Sequence, residues 1–171
     1  MNDTLKSRLF VFGQFALLVL LIVWPDDRTG WGLLDFLFEF IAVLFFFGGA
    51  AVVFLAIREL FKLSLPVPTG SRKDKFLQSL RVILPEPSKE AKLVTTGIFR
   101  TVRHPIYAGL ILIGYSIGVG SGPVPHLLLA IGLHVLLHFK SLLEEKFLNL
   151  KFKEYKKYMT SSGHFFPKVE D

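Results

Sequence analysis

Arg103, His104 and Tyr107, within the stretch RHPIYAG at residues 103–109, place a guanidinium, an imidazole and a phenol in a few consecutive positions. Pro105 between them opens an apolar run that continues to Val119, broken by little except Tyr107 and glycines. Proline suits the first turn of a helix, where its missing N–H is no loss. A charged pair just outside such a start lies beside the positive end of the helix dipole, where an anionic group from water can dock. Further along the chain come Lys140, Glu144 and Glu145. Together these residues offer cations for a carboxylate or phosphate, and carboxylates for an ammonium, a sulfonium or ribose hydroxyls. The same residue types also serve as topology signals and headgroup contacts at helix ends, so spacing has to decide between the two readings.

The register of a hairpin is the chief argument for a site. Residues 105–120 and the run from about residue 126 past Lys140 are apolar, and only the Gly/Pro-rich residues 121–125 separate them. They read as an antiparallel helical hairpin folded about residue 123. Helices rise about 1.5 Å per residue, so positions equally far from the fold lie at equal depth. Tyr107 then falls level with about position 139, and Arg103 with about 143. Lys140 and Glu144, at i and i+4, share one side of the second helix. Arg103, His104, Tyr107, Lys140, Glu144 and Glu145 should therefore meet at one level.

Two more apolar spans precede the hairpin, at residues 9–24 and 31–61, the second longer than the ~20 residues a bilayer needs. With 51% hydrophobic residues and 18 Phe in a chain of 171, this composition is that of one membrane domain. The fold class expected is an all-α, polytopic membrane helix bundle of about four transmembrane helices. Its parts are two membrane helices at 9–63, a cytoplasmic segment at 64–104, the helical hairpin at 105–149 and a C-terminal cytoplasmic tail at 150–171. Residues 9–24 are long for a signal-peptide core and no small-residue cleavage site follows them, so they read as a retained helix. Pro66, Pro68, Pro85 and Pro87 interrupt the middle segment, within which residues 76–84 read as a short interfacial helix.

Charge sets an orientation. The stretch from Arg58 to Arg103 is rich in Arg and Lys against Glu59, Asp74, Glu86 and Glu90, and the tail is rich in Lys, whereas the opposite connections are nearly neutral. Both termini and the middle segment should be cytoplasmic. The net charge of +6 follows from this pattern and from anionic headgroups, and calls for no nucleic-acid partner. With no Cys there is no thiolate nucleophile, disulfide framework or Cys-based metal site. The spacing of Gly114, Gly118 and Gly122, and the run Gly48 to Ala51, marks close helix packing.

LVTTGIFRTVRHPIYAG at residues 93–109, EEKFLNLKFKEYKKY at 144–158 and GHFFP at 163–167 together resemble the isoprenylcysteine carboxyl methyltransferase family, to which the phospholipid N-methyltransferases are related. The resemblance covers roughly residues 84–167. It implies a membrane-embedded methyltransferase that uses S-adenosyl-L-methionine without a Rossmann sheet, its pocket formed by the last hairpin, the loop before it and the tail. By position, Leu93, Val94 and Phe99 match the segment that walls the cofactor, with Phe99 replacing a usual Tyr. His104, Pro105, Ile106 and Tyr107 match the cofactor-binding turn, and Glu144 the glutamate that helps hold the cofactor. Lys140 stands where the family usually has a substrate-contacting Arg, which turns a planar clamp into a point charge. Lys140 and Glu145 are the candidate catalytic residues. Phe152 and Lys153 replace a Phe-Gly pair in the family's tail pattern, and the spacing to Tyr155 is one residue short. An integral, multi-pass protein of a bacterial or archaeal cytoplasmic membrane is expected, acting on a lipidic or apolar methyl acceptor.

The remaining polar residues are weaker candidates. His134 and His138, at i and i+4, could ligate a metal or haem in a non-catalytic membrane protein, but polar packing between helices explains them more simply and no metal site is expected. A sterol-reductase-like oxidoreductase is a further alternative, in a chain with little room for the extra spans. His126 and His164 are expected at interfaces, with His164 helping to close the tail over the cofactor. Asp35 and Glu39 suit the start of the second span through the helix dipole. A carboxylate or thiolate acceptor needs no general base, whereas an amine would need Glu144, Glu145 or His104.

Overall fold

In lipid a backbone has no water to bond, so an apolar run satisfies its N–H and C=O groups internally as a helix. The computed structural model describes residues 3–25, 32–64, 93–121 and 124–168, and every long apolar run within them is helical. The helices are α1 (Asp3–Val23), α2 (Asp35–Ser64), α3 (Pro105–Gly120), α4 (Pro125–Lys151) and the short α5 (Tyr155–Ser161). A 3-10 turn, Gly32–Leu34, leads into α2, and another, Gly97–Arg100, precedes α3. The described residues contain no strand, only an isolated parallel bridge between Val102 and Gly163. The all-α membrane helix bundle read from the sequence is the observed architecture.

Pro105 and Pro125 each occupy the first turn of their helices, as expected for residues that lack an N–H. α1 starts six residues earlier than its apolar run, because Asp3 at its first turn complements the dipole and reaches Lys146. Among the described residues three helices are long and apolar enough to cross a membrane, α1, α2 with its leading turn, and α4, and α3 is a shorter apolar helix beside them. α3 has 16 residues, about 24 Å of helix against a hydrocarbon core of about 30 Å. Residues 76–84, read as an interfacial helix, and part of the 121–125 turn lie outside the described residues.

The helices pack in the order α2, α3, α4, α1, with α1 also touching α3. Each neighbouring pair is antiparallel. Gly49 of α2 lies against Gly109 of α3, where a Cβ on either would come within 2.6 Å of the other's carbonyl oxygen, so only paired glycines permit the approach. Gly118 of α3 faces Ala130 of α4, and Gly13 of α1 faces Leu136. The shared core is Leu21, Ala108, Ile111, Leu133 and Leu137, closed by Phe165 from the tail. Outward-facing residues such as Phe12, Ile22, Phe36, Phe47 and Phe54 stay exposed, a lipid-facing surface rather than a soluble one. This connectivity collects the start of α1, the end of α2, the start of α3 and the end of α4 at one end of the bundle.

Candidate active site at the polar end of the bundle

Glu145, buried near the end of α4, organises that end. Its Oε1 accepts from Arg103 Nε at 2.7 Å and lies 3.2 Å from His104 Nε2. Arg103 also donates to the carbonyls of Met159 and Ser162, so one guanidinium ties α4 to the tail. A carboxylate buried with hydrogen-bonded cations is a stable arrangement only when each partner is satisfied, and here both are. Glu144, one residue earlier and more exposed, points to a different neighbour: Tyr107 donates its hydroxyl to Glu144 Oε2 at 2.9 Å. His104 Nδ1 lies 3.7 Å from that same oxygen, and its ring stacks parallel to Tyr107 with centroids 5.5 Å apart. The two adjacent glutamates thus separate into an inner, clamped one and an outer, reachable one.

Lys140 is buried one turn deeper. Its ammonium lies 4.9 Å from the Tyr107 ring centroid and donates to Gln14 Oε1 of α1 at 2.6 Å. Tyr107 is therefore level with Lys140 and Glu144, and Arg103 with Glu145. The hairpin register expected from sequence is met to within about two residues by the Tyr107–Lys140 and Arg103–Glu145 contacts, and the Tyr107 hydroxyl reaches one turn further, to Glu144.

The tail supplies the lid. The Arg103 N–H donates to the Gly163 carbonyl at 2.9 Å, the His104 N–H to the His164 carbonyl at 3.1 Å, and the Gly163 N–H to the Thr101 carbonyl at 2.9 Å. A Cβ at Gly163 would land on the Phe166 carbonyl oxygen, so the turn needs glycine. Ser141 and His164 are in contact at 2.9 Å, and the His164 ring stacks on Phe165 at 4.2 Å. Burial lowers the His164 imidazole to about 4, helped by the neighbouring His104, so it is neutral near pH 7. Burial pushes the Tyr158 phenol up to about 12 and that of Tyr155 above the ordinary range. Both remain donors, and Tyr158 donates to the Phe99 carbonyl.

Of the cofactor residues expected from sequence, His104, Tyr107 and Glu144 form one contact cluster, and Pro105 is the buried first residue of α3. Phe99 is buried beneath the tail. Leu93, Val94 and Ile106 are half-buried. Lys140 lies over the Tyr107 ring, and Glu145 contacts His104. Gln14 and the backbone of residues 162–164 were not legible. The one signal for Gln14 was its being the lone strongly polar side chain within residues 9–24.

The histidines resolve into different roles. His134 Nδ1 pairs with the Tyr115 hydroxyl at 3.1 Å, which is packing between α4 and α3. His126 is buried where an interface position was expected, because Gly118 lets α3 close over the start of α4. His104, Glu145 and His164 bring ligand atoms within 4.8 Å of one another, a spacing open to a metal ion. Arg103 already places a cation on the Glu145 oxygen such an ion would use, and like charges exclude each other there.

Residues 71–155 match the family model for phospholipid methyltransferase. The match takes in α3, α4 and the segment before them. That family is related to the isoprenylcysteine methyltransferases, and the match takes in every expected site residue from Leu93 to Glu145. It stops short of the tail that closes the site and excludes α1 altogether. No curated protein gives a significant match to the chain.

Proposed function

We propose that this protein transfers a methyl group from S-adenosyl-L-methionine to a lipidic or membrane-partitioned acceptor, of the prenylcysteine-carboxylate or phospholipid-amine type. The observation that carries the reading is the Tyr107–Glu144–His104 cluster at the polar end of the hairpin, inside the segment that matches the methyltransferase family. Its donor set fits the cofactor. Glu144 offers a reachable carboxylate to the amino group, while His104 and the start of α3 offer donors to the carboxylate. Leu93, Val94 and Phe99 wall the adenosine side. When bound, S-adenosylmethionine supplies an electrophilic methyl group, and the electron pair of the broken bond stays on sulfur.

The chain's own residues do the rest by position. Methyl transfer needs nucleophile and sulfonium aligned in line and water kept out. The tail excludes water from the cytoplasmic side, and the bundle excludes it from the membrane side. Lys140, deeper than Glu144, faces the acceptor. A carboxylate acceptor needs no base, whereas an amine would give its proton to Glu144 or His104, because Arg103 already occupies Glu145. The N-terminus, the C-terminus and the site are on the cytoplasmic side, where the cofactor is made. The membrane is a bacterial or archaeal cytoplasmic one, crossed several times.

The test is incubation of membranes carrying the protein with methyl-labelled S-adenosylmethionine, followed by lipid and peptide extraction. Label should enter the lipid or prenylated fraction with the wild type and fall to background with Glu144→Gln. Bound cofactor with no label in either fraction would overturn the reading.

A further inference from the structure

Gln14 lies in the middle of α1, within an apolar run, and is buried. The buried residues of α1 are Ser7, Gln14 and Leu21, spaced by seven, so one stripe of the helix faces the bundle. Gly13 brings that stripe close, since a Cβ there would meet Leu136 Cδ1 at 2.8 Å. The Gln14 carbonyl oxygen accepts from Lys140 Nζ at 2.6 Å, the ammonium lies over the Tyr107 ring, and the Tyr107 hydroxyl donates to Glu144. One line of contacts thus runs from α1 to the carboxylate proposed to hold the cofactor.

An ammonium this deep is expensive, and a Leu–Leu or Leu–Met contact would join α1 to α4 at lower cost. Polar groups that persist inside a membrane bundle mark substrate or ion paths more often than packing. The chemistry of the partner is specific as well. A neutral amide orients a cation without bringing a counter-charge of its own, whereas a carboxylate in its place would cancel the field the cation projects.

We propose that Gln14 is a positioning residue for the methyl acceptor: it fixes the Lys140 ammonium over Tyr107 so that α1 completes a receptor for the acceptor's anionic group, a carboxylate or a phosphate. The inference rests on the reading of Lys140 as the acceptor-side cation.

Two variants separate this from a packing role. Gln14→Glu keeps an oxygen for Lys140 and adds a negative charge, while Gln14→Leu removes the oxygen and adds none. Two probes are used: dodecyl phosphate, read as a rise in Tm of the full chain in maltoside micelles, and methyl transfer to N-acetyl-S-farnesylcysteine or to phosphatidylethanolamine vesicles. The wild type should be stabilised by dodecyl phosphate and Gln14→Leu less so. Gln14→Glu should lose the shift. In transfer, Gln14→Leu should raise acceptor KM about tenfold, as expected for loss of one hydrogen bond to a charged group. Gln14→Glu should be the more impaired, and in both the rise in acceptor KM should exceed any change in cofactor affinity, which Gln14 reaches only through Lys140 and Tyr107. If Gln14→Glu fails to fold, Gln14→Asn, which pulls the ammonium aside without changing charge, must raise acceptor KM at constant cofactor affinity. The opposite order, with Gln14→Glu near wild type and Gln14→Leu worst, overturns the proposal, as does a wild type that dodecyl phosphate does not stabilise. Charge-ordered phosphate binding without transfer to either acceptor would sink the methyltransferase reading alone.

Discussion

Glu144 and Glu145 are chemically identical neighbours, yet the helix turns them to opposite tasks, and substitution should separate them. Glu144→Gln removes a charge that the structure leaves reachable beside Tyr107. Cofactor affinity, measured by calorimetry in micelles, should fall by about 10- to 100-fold, the value of a charge-assisted hydrogen bond of about 1.5–3 kcal/mol, with little change in stability. Glu145→Gln should show the reverse balance. It leaves the half-buried Arg103 without its carboxylate, a loss of about 3 kcal/mol in stability by denaturant unfolding. Equal effects of the two changes on cofactor binding would contradict the division. His164 adds a pH dependence whose sign is fixed by burial. Its folded value of about 4 lies below the 6.5 of the free side chain. The unfolded chain takes up this proton first as pH falls. The tail's stability is therefore whole above about 6.5 and is lost progressively as pH drops towards about 4. Proteolysis of the tail across that range should follow this course in the wild type and flatten in His164→Gln.

At the scale of elements, the hairpin was legible and the contacts around it were not. Arg103, Tyr107, Lys140 and Glu144 could be brought together from sequence because two adjacent helices share a turn, and helical rise alone then sets their relative depth. Gln14 could not, since the rotation and depth at which α1 docks on α4 depend on where Gly13 meets Leu136, which no local periodicity encodes. The tail was equally hidden. Its pairing with residues 101–104 uses backbone groups, which every residue type offers alike. The bounds of α3 were legible: its apolar run from Pro105 to Gly120 is the observed helix, shorter than its neighbours. Two glycines test this packing. Gly109→Leu should wedge α3 from α2 and lower Tm more than Leu112→Ala, because the Gly49 carbonyl is rigid backbone and cannot give way. Gly163→Ala should release the tail while the helices persist, seen as faster cleavage after Tyr158 with unchanged far-UV circular dichroism.

For the whole molecule, the alternation of α1 to α4 places four helix ends together, and the charge pattern says which side of the membrane they face. The basic segment around Lys73 and the near-neutral turns at Arg28 and Pro123 make the expectation definite. Single cysteines replacing Arg28 and Pro123 should react with an impermeant maleimide only from outside the cell, and one replacing Lys73 only from inside. The chain has no native Cys to confuse the readout. The reverse labelling would turn the site away from the compartment that holds the cofactor. Membrane character itself was legible from composition alone, because the exposed Phe and Leu of α1 and α2 have no other solvent to face.

The docking of residues 162–165 against residues 101–104 has a consequence for the life history of the protein. Residues 162–165 follow α1 to α4 in the chain, so every helix of the bundle is made before the segment that covers the polar end. Arg103 must wait for the carbonyls of Met159 and Ser162, and the His104 N–H for that of His164. Until then this end of the bundle is open to water, and a nascent chain has no closed chamber in which to react. Closure of the polar end is therefore the last step of assembly. A chain released at residue 161 should carry its helices threaded through the bilayer and leave the polar end open to water.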